Sequence, residues 1–185
     1  MVVYLTGGSA QNTLPALRQE TESLMQSAGY TLDWRDSAHG VDAANLVVVA
    51  LNGDCTAPAT PTVTAAPIDS GRSLAAATVQ DGVILPFAHV DCAAVRSILG
   101  PLIAREAPAR RSYLYGRAIG RLIAHELYHV MAQTREHAPS GIGKPCFTAA
   151  DLVSDRFEFE AVALRKMRRA AADSSPALDT DASGR

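Results

Sequence analysis

The amino-acid sequence indicates an α+β domain, with five strands and one helix in the first half of the chain and further helices in the second. Up to about residue 90, short apolar runs are bounded by glycine, asparagine or aspartate, which is typical of strands. After that point, apolar residues recur every three or four positions, which is typical of amphipathic helices. The 185 residues are 48% apolar and 19% charged, enough to bury one core. We therefore expect a single domain.

Five strands are expected in the first half. The segments are residues 2–5, 31–34, 46–51, 74–79 and 83–90. The run 46–51 is rich in β-branched residues and predicts a central buried strand. Asp81-Gly82, between the last two segments, predicts a hairpin. Pro86 cannot donate a ladder hydrogen bond, so the second hairpin arm should lie at an edge or a bulge.

Four helices are expected, and each has recognisable ends. Asn12 or Thr13 caps the first helix, and Gly29 closes it. The other three run from Asp91 or Cys92 to Leu99 before Gly100-Pro101, from Ser112 to about Gln133, and from Thr148 to about Ala171. Gly116 and Gly120 in the third of these four helices allow a neighbouring backbone to approach closely.

The segments divide into two lobes of one domain, residues 1–172. A sheet lobe extends to about residue 134, and a small C-terminal lobe covers residues 135–172. Residues 55–71, rich in alanine, proline and threonine, are interpreted as a surface loop. The polar residues 173–185 are interpreted as a disordered tail.

Composition and charge exclude several function classes. The net charge is −2 and aromatic residues make up 5%, so we expect no nucleic-acid partner. The longest strictly apolar run, residues 46–51, is too short to span a membrane. No basic start or long apolar core follows Met1, so we expect no signal peptide in this chain.

Three cysteines are present, at positions 55, 92 and 146, and none forms a C-x-x-C pair. A structural zinc site of four cysteines is therefore excluded. We favour three small, buried or half-buried thiols. The alternative is one internal disulfide and one free thiol.

The segment His125-Glu126-Leu127-Tyr128-His129 is an H-E-x-x-H motif inside the third predicted helix. On a helix, two residues four apart lie about one turn and about 40° from each other, so both imidazole rings can face one ion. Glu126 lies beside that face and can act as a general base on a metal-bound water. His39 and His89 are interpreted as structural residues.

A catalytic zinc ion needs a third protein ligand, and His137 is favoured. A continuous helix would place it about 18 Å from His125, so the helix must end and the chain must fold back. Asp151 is the second candidate, because Asp151 and Asp155 share a helix face. One of the two could bind zinc while the other orients a histidine. Glu158 and Glu160 complete the alternatives.

The motif His125-Glu126-x-x-His129 resembles that of the zincin superfamily of metallopeptidases. Zincins have a small twisted mixed sheet with a backing helix, an active-site helix and a C-terminal helix across a cleft. The predicted order of elements over residues 2–170 is similar. The resemblance implies this α+β arrangement here. It also implies an edge strand, residues 74–79, that binds substrate by strand addition.

The chain resembles neither main zincin subgroup fully. Metzincins carry H-E-x-x-H-x-x-G-x-x-H, but here Ala132 replaces the glycine and Arg135 stands at the third histidine position, two residues before His137. Gluzincins use a glutamate on a later helix with an acidic residue four positions further on. Asp151 and Asp155 match that spacing with a different residue type. The chain resembles a minimal, atypical zincin.

The expected function is that of a zinc-dependent metallopeptidase. His125, His129 and His137 would hold one Zn²⁺, and Glu126 would activate the metal-bound water that hydrolyses a bond of a peptide or protein substrate. The alternative is a zinc-binding accessory protein on the same scaffold. The sequence leaves the location open. We favour export, with any leader absent from this chain, because a small unregulated peptidase is safer outside the cytoplasm.

Overall fold

Five strands form one mixed sheet at the start of the chain. The computed structural model describes residues 1–36, 46–58 and 73–173. The strands are β1 (Val2–Gly7), β2 (Asp33–Asp36), β3 (Leu46–Asn52), β4 (Ala75–Gln80) and β5 (Val83–Asp91). Their order is β2-β1-β3-β5-β4, with β4 antiparallel to β5 at one edge and the other pairs parallel. The predicted α+β class and hairpin are confirmed. The second strand lies two residues later than predicted, because Val2 pairs with Asp33.

Pro86 lies at an irregular point of β5, as predicted. The pairing of β5 with β4 shifts between Ala77 and Val79, so that residues 85–87 oppose a single residue of β4. Pairing with β3 begins only at Phe87. The N–H group that Pro86 lacks is therefore not needed by either ladder.

Helix α3 is the central element of the domain. The helices are α1 (Leu14–Ser27), α2 (Cys92–Ile103), α3 (Pro108–Ala132), α4 (Ala149–Val153) and α5 (Ala161–Asp173). Helix α3 packs against all four other helices and against β4 and β5. Every residue from Leu114 to Val130 is buried, which no amphipathic helix at a surface would show. The H-E-x-x-H motif therefore lies on the most enclosed helix among the described residues.

Two glycines explain how closely α1 and α3 approach each other. A Cβ atom at Gly116 would lie 2.3 Å from the Thr13 carbonyl oxygen, and one at Gly120 would lie 2.7 Å from that of Leu17. Both distances are far below van der Waals contact, so any larger residue would push the two helices apart. The predicted role of Gly116 and Gly120 is confirmed.

Two predicted helix boundaries are wrong. Helix α2 continues through Gly100-Pro101 and ends at Ile103. A proline this close to a helix end removes a single hydrogen bond, and the burial of Ile103 in the core offsets the loss. Helix α3 begins at Pro108 and not near Ser112, because a proline has the φ angle and lacks the N–H group that the first helical turn leaves unpaired.

The last predicted helix, 148–171, is interrupted. The helix begins after Thr148, as predicted, and Thr148 forms a capping box with Asp151, but α4 ends at Val153 and α5 begins only at Ala161. The reason is a buried side chain of α3. Arg121 Nη1 donates to the Asp151 carbonyl oxygen at 2.6 Å, and Nη2 donates to that of Ser154 at 2.8 Å. These carbonyl groups are occupied by the guanidinium group and not by the next helical turn.

The favoured interpretation of the cysteines is also wrong. Cys55 and Cys92 form a disulfide with their Cα atoms 5.1 Å apart, a usual separation. Cys146 is a free, exposed thiol. Because β3 and β5 are neighbours in the sheet, Cys55, which follows β3, lies beside Cys92 at the start of α2. This adjacency cannot be deduced from cysteine spacing.

Parts of three predictions lie outside the described residues. Only residues 55–58 of the predicted loop 55–71 are described, and only residue 173 of the predicted tail. His39 also lies outside them. No helix in the described part of the chain is long and apolar enough to cross a membrane.

Candidate metal centre

Two backbone carbonyl groups orient the histidines of the motif. His125 Nδ1 lies 2.6 Å from the Ile142 carbonyl oxygen, and His129 Nδ1 lies 2.7 Å from that of Thr134. A carbonyl oxygen only accepts, so each Nδ1 carries the proton and each Nε2 carries a lone pair. This tautomer is the one in which Nε2 binds a metal ion.

The two Nε2 atoms face each other at 3.1 Å. In the neutral tautomers neither can donate to the other, so two lone pairs meet in a site where His125 and His129 are 6% and 8% exposed. Two nitrogen ligands on a tetrahedral zinc ion lie about 3.3 Å apart, from a Zn–N distance of about 2.05 Å. The pair therefore has nearly the spacing of two zinc ligands.

His137 joins the pair because the chain reverses after α3. Gln133 adopts the left-handed conformation, with φ 44° and ψ 44°, and its N–H donates to the His129 carbonyl group. The His137 ring then stacks on that of His125, with centroids 5.4 Å apart and planes at 17°. One nitrogen from each of the three histidines lies within 4.8 Å of the others.

The third histidine is less constrained than the first two. His137 is exposed, and the 4.8 Å limit exceeds the roughly 3.3 Å between tetrahedral nitrogen ligands. Its imidazole would complete a zinc site by turning inward, by no more than about 1.5 Å. An exposed side chain on a loop can make this movement without disturbing the core.

Glu126 lies beside the histidines and is buried, at 4% exposure. Burial raises the pKa of its carboxyl group to about 7, although the Ala77 N–H group, which donates to it, partly opposes the rise. A carboxyl group with a pKa near 7 can both accept and release a proton at neutral pH. Ala77 belongs to β4, so this contact joins the metal helix to the edge of the sheet.

The pKa values of the three histidines are lowered. Burial is the largest cause for each, and it lowers the pKa of His125 to about 4 although the Ile142 carbonyl group favours the charged ring. The pKa values of His129 and His137 are lowered as well. Metal binding requires neutral imidazole rings, and these histidines are neutral at pH 7.

The other predicted ligand candidates lie elsewhere. The Asp151 carboxylate accepts hydrogen bonds from the Thr148 N–H and hydroxyl groups and forms an ion pair with Lys144 at 2.7 Å. Asp155 is exposed and lies 3.7 Å from Arg117. Glu158 is exposed, and Glu160 accepts a hydrogen bond from Ser140. His89 lies within β5, as predicted.

The cleft in front of the histidines has two parts. One part, of about 350 Å³, is lined by His125, Glu126, His129, His137 and Arg135 on one side and by β4 on the other. The second part, of about 220 Å³, also contacts His125 and Glu126. It is lined mainly by apolar side chains, those of Leu74, Ile98, Leu122, Pro145 and Phe147, together with Cys146.

Sequence reasoning missed the groups that support the ligands. The carbonyl groups of Thr134 and Ile142 belong to the backbone, so no residue type in the sequence indicates their role. Arg121 could have been noticed, because it lies in an otherwise apolar stretch one helical turn before His125. It is 1% exposed, and its Nε lies 2.6 Å from Glu20 of α1.

Comparisons of the chain with protein-family models, with curated proteins and with solved structures find no match.

Proposed function

We propose that this protein is a zinc-dependent metallopeptidase of the zincin type. One observation carries the proposal: three histidine nitrogens and a buried carboxyl group converge in one cleft beside an edge strand. His125, His129 and His137 would hold the ion through one imidazole nitrogen each. The donor set fits zinc, which is commonly bound by three protein ligands with one position left open in catalytic sites.

The chain's own residues divide the remaining tasks. When bound, zinc would supply Lewis acidity, polarising a carbonyl group and lowering the pKa of water. Glu126 would take a proton on its carboxylate and deliver it to the leaving amine, because its pKa of about 7 suits both directions. The carbonyl groups of Thr134 and Ile142 keep both Nε2 atoms of the motif aimed into the cleft.

Strand β4 would bind the substrate backbone. The Asp91 N–H group donates to the Leu74 carbonyl oxygen at 2.9 Å, so Leu74 faces β5. Because main-chain groups alternate along an antiparallel strand, those of Ala75 and Ala77 face the cleft. A peptide laid along this edge would gain hydrogen bonds with the Ala75 N–H and the Ala77 carbonyl group without regard to its sequence, while the Ala77 N–H group stays with Glu126.

Two variants test the proposal. Zinc-loaded protein should hydrolyse an unfolded protein substrate, and Glu126→Gln should abolish hydrolysis while one zinc ion per chain is retained. Glu106→Gln, an exposed glutamate outside the cleft, is the matched control and should keep full activity. Unchanged hydrolysis in Glu126→Gln would exclude the proposed mechanism. Tight zinc binding with no cleavage of a broad peptide library would favour the zinc-binding accessory protein.

We also propose that the protein works in an oxidising compartment. The Cys55–Cys92 disulfide supports export, because such bonds persist outside the cytoplasm and are rare within it. Thiol titration of protein isolated from its native cells under acid quench would test this location. One free thiol per chain is expected, and three free thiols per chain would contradict the proposed oxidising compartment.

A further inference from the structure

One cation in the cleft has no partner within the described chain. The Arg135 side chain lines the same part of the cleft as His129, His137 and Glu126 and is exposed. No hydrogen bond or ion pair to its guanidinium group is found among residues 1–36, 46–58 and 73–173. The remaining cleft-facing residues on this side are alanine, serine, valine and proline. Arg135 therefore offers a free positive charge beside the three histidines.

Nearby acidic groups are committed to other partners. Glu136, the next residue along the chain, forms an ion pair with Lys166 at 2.5 Å. Glu126, the acid that lines this part of the cleft, is buried and bonded to the Ala77 N–H group. Neither carboxylate neutralises the Arg135 guanidinium group. An incoming carboxylate would meet a charge that no described residue satisfies.

The second part of the cleft is lined mainly by apolar side chains. Leu74, Ile98 and Phe147 line it together with Leu122 and Pro145, and it contains no cation. Both parts adjoin His125 and Glu126. A substrate that uses both would carry an apolar side chain and a negative charge, both close to the scissile bond.

We propose that Arg135 binds a carboxylate of the substrate and so determines specificity. The substrate class is a peptide with an apolar residue in the smaller part of the cleft and a carboxylate, from an acidic side chain or from the peptide C-terminus, beside the histidines. The inference rests on the proposed function, because it concerns the same cleft. Its test measures binding, so that it can fail separately from hydrolysis.

The experiment uses zinc-loaded Glu126→Gln protein, which binds peptides without turning them over. Fluorescence anisotropy would compare the binding of four leucine–alanine peptides. Three have both ends blocked and carry one aspartate, one asparagine or one lysine, and the fourth has a free C-terminus. The aspartate peptide should bind about two- to five-fold more tightly than the asparagine peptide, the effect expected of an exposed ion pair. Arg135→Ala should remove this difference, and Arg135→Glu should favour the lysine peptide. Arg105→Glu, an exposed arginine outside the cleft lining, is the charge-matched control.

The outcomes separate the two proposals. Equal binding of the aspartate and asparagine peptides, with no gain for the free C-terminus, would overturn the role of Arg135 even if the wild-type protein hydrolyses peptides. A gain for the free C-terminus alone would assign the carboxylate to the chain end. Arg135-dependent binding with no hydrolysis by the wild-type protein would overturn the peptidase and leave the binding site. Binding of no peptide at all would overturn the role of Arg135, and the hydrolysis assay of the wild-type protein would decide the peptidase by itself.

Discussion

Reducing the Cys55–Cys92 disulfide should cost this domain about 4 kcal/mol of its free energy of unfolding. The two cysteines are 37 residues apart in the chain. In the loop-entropy model, closing a loop of that length lowers the entropy of the unfolded chain by about 13 cal/mol/K, which is about 4 kcal/mol at 25 °C. Native domains are stable by only about 5–15 kcal/mol, so this bond supplies a substantial share.

The native contacts around Cys55 should survive reduction. The loss of free energy of unfolding should therefore come from the larger entropy of the reduced unfolded chain. The Cys55 N–H group donates to the Ser9 carbonyl oxygen at 2.9 Å, and its own carbonyl oxygen accepts from the Thr13 hydroxyl group at 2.8 Å. Arg96 holds the same segment through the Asp54 carboxylate at 2.9 Å. The reduced protein should therefore keep its fold in the absence of denaturant.

Urea unfolding of one protein sample, with and without a phosphine reductant, measures the effect. With a urea dependence of about 2 kcal/mol per molar, the midpoint should fall by about 2 M. A Cys146→Ser background prevents disulfide exchange with the free thiol. A change in midpoint below about 0.5 M would refute the reasoning, because the disulfide would then not lower the conformational entropy of the unfolded chain.

Three further predictions concern the candidate metal centre and its support. His137→Ala should weaken zinc binding by at least about a hundred-fold, more than loss of a ligand's supporting hydrogen bond. Asp151→Ala should leave zinc affinity nearly unchanged. A chelator competition titration measures both affinities, and a larger loss in Asp151→Ala than in His137→Ala would contradict the prediction. Zinc at a hundred-fold excess over its dissociation constant should raise the free energy of unfolding by about 2.7 kcal/mol. Calorimetry should find no such gain in His125→Ala. Arg121→Met should cost about 3–5 kcal/mol, because it leaves a half-buried glutamate without its cation. A loss under 1 kcal/mol in urea unfolding would contradict that account.

The parts of the site that depend on short-range order were predictable from the sequence. His125 and His129 are four residues apart on a helix, and the helical repeat alone places their rings on one face. The position of Glu126 beside that face follows from the same repeat. The hairpin around Asp81-Gly82 is equally local, because the turn residues themselves favour it.

The parts that failed depend on contacts between distant residues. The break between α4 and α5 is caused by Arg121, which lies 30 residues before the Asp151 carbonyl group that it occupies. The disulfide requires β3 and β5 to be neighbours before Cys55 and Cys92 can meet. No local pattern encodes such contacts.

The strongest support for a metal ion comes from these distant contacts and not from the motif. An H-E-x-x-H segment on a helix could turn its rings toward any neighbour. Here the carbonyl groups of Ile142 and Thr134, from the segment that follows α3, hold both Nδ1–H groups and leave two Nε2 lone pairs 3.1 Å apart. A shared proton could relieve their repulsion, but burial lowers the pKa of His125 to about 4, which opposes a proton there at neutral pH. A cation can satisfy both nitrogens at once, and the adjacent His137 offers it a third.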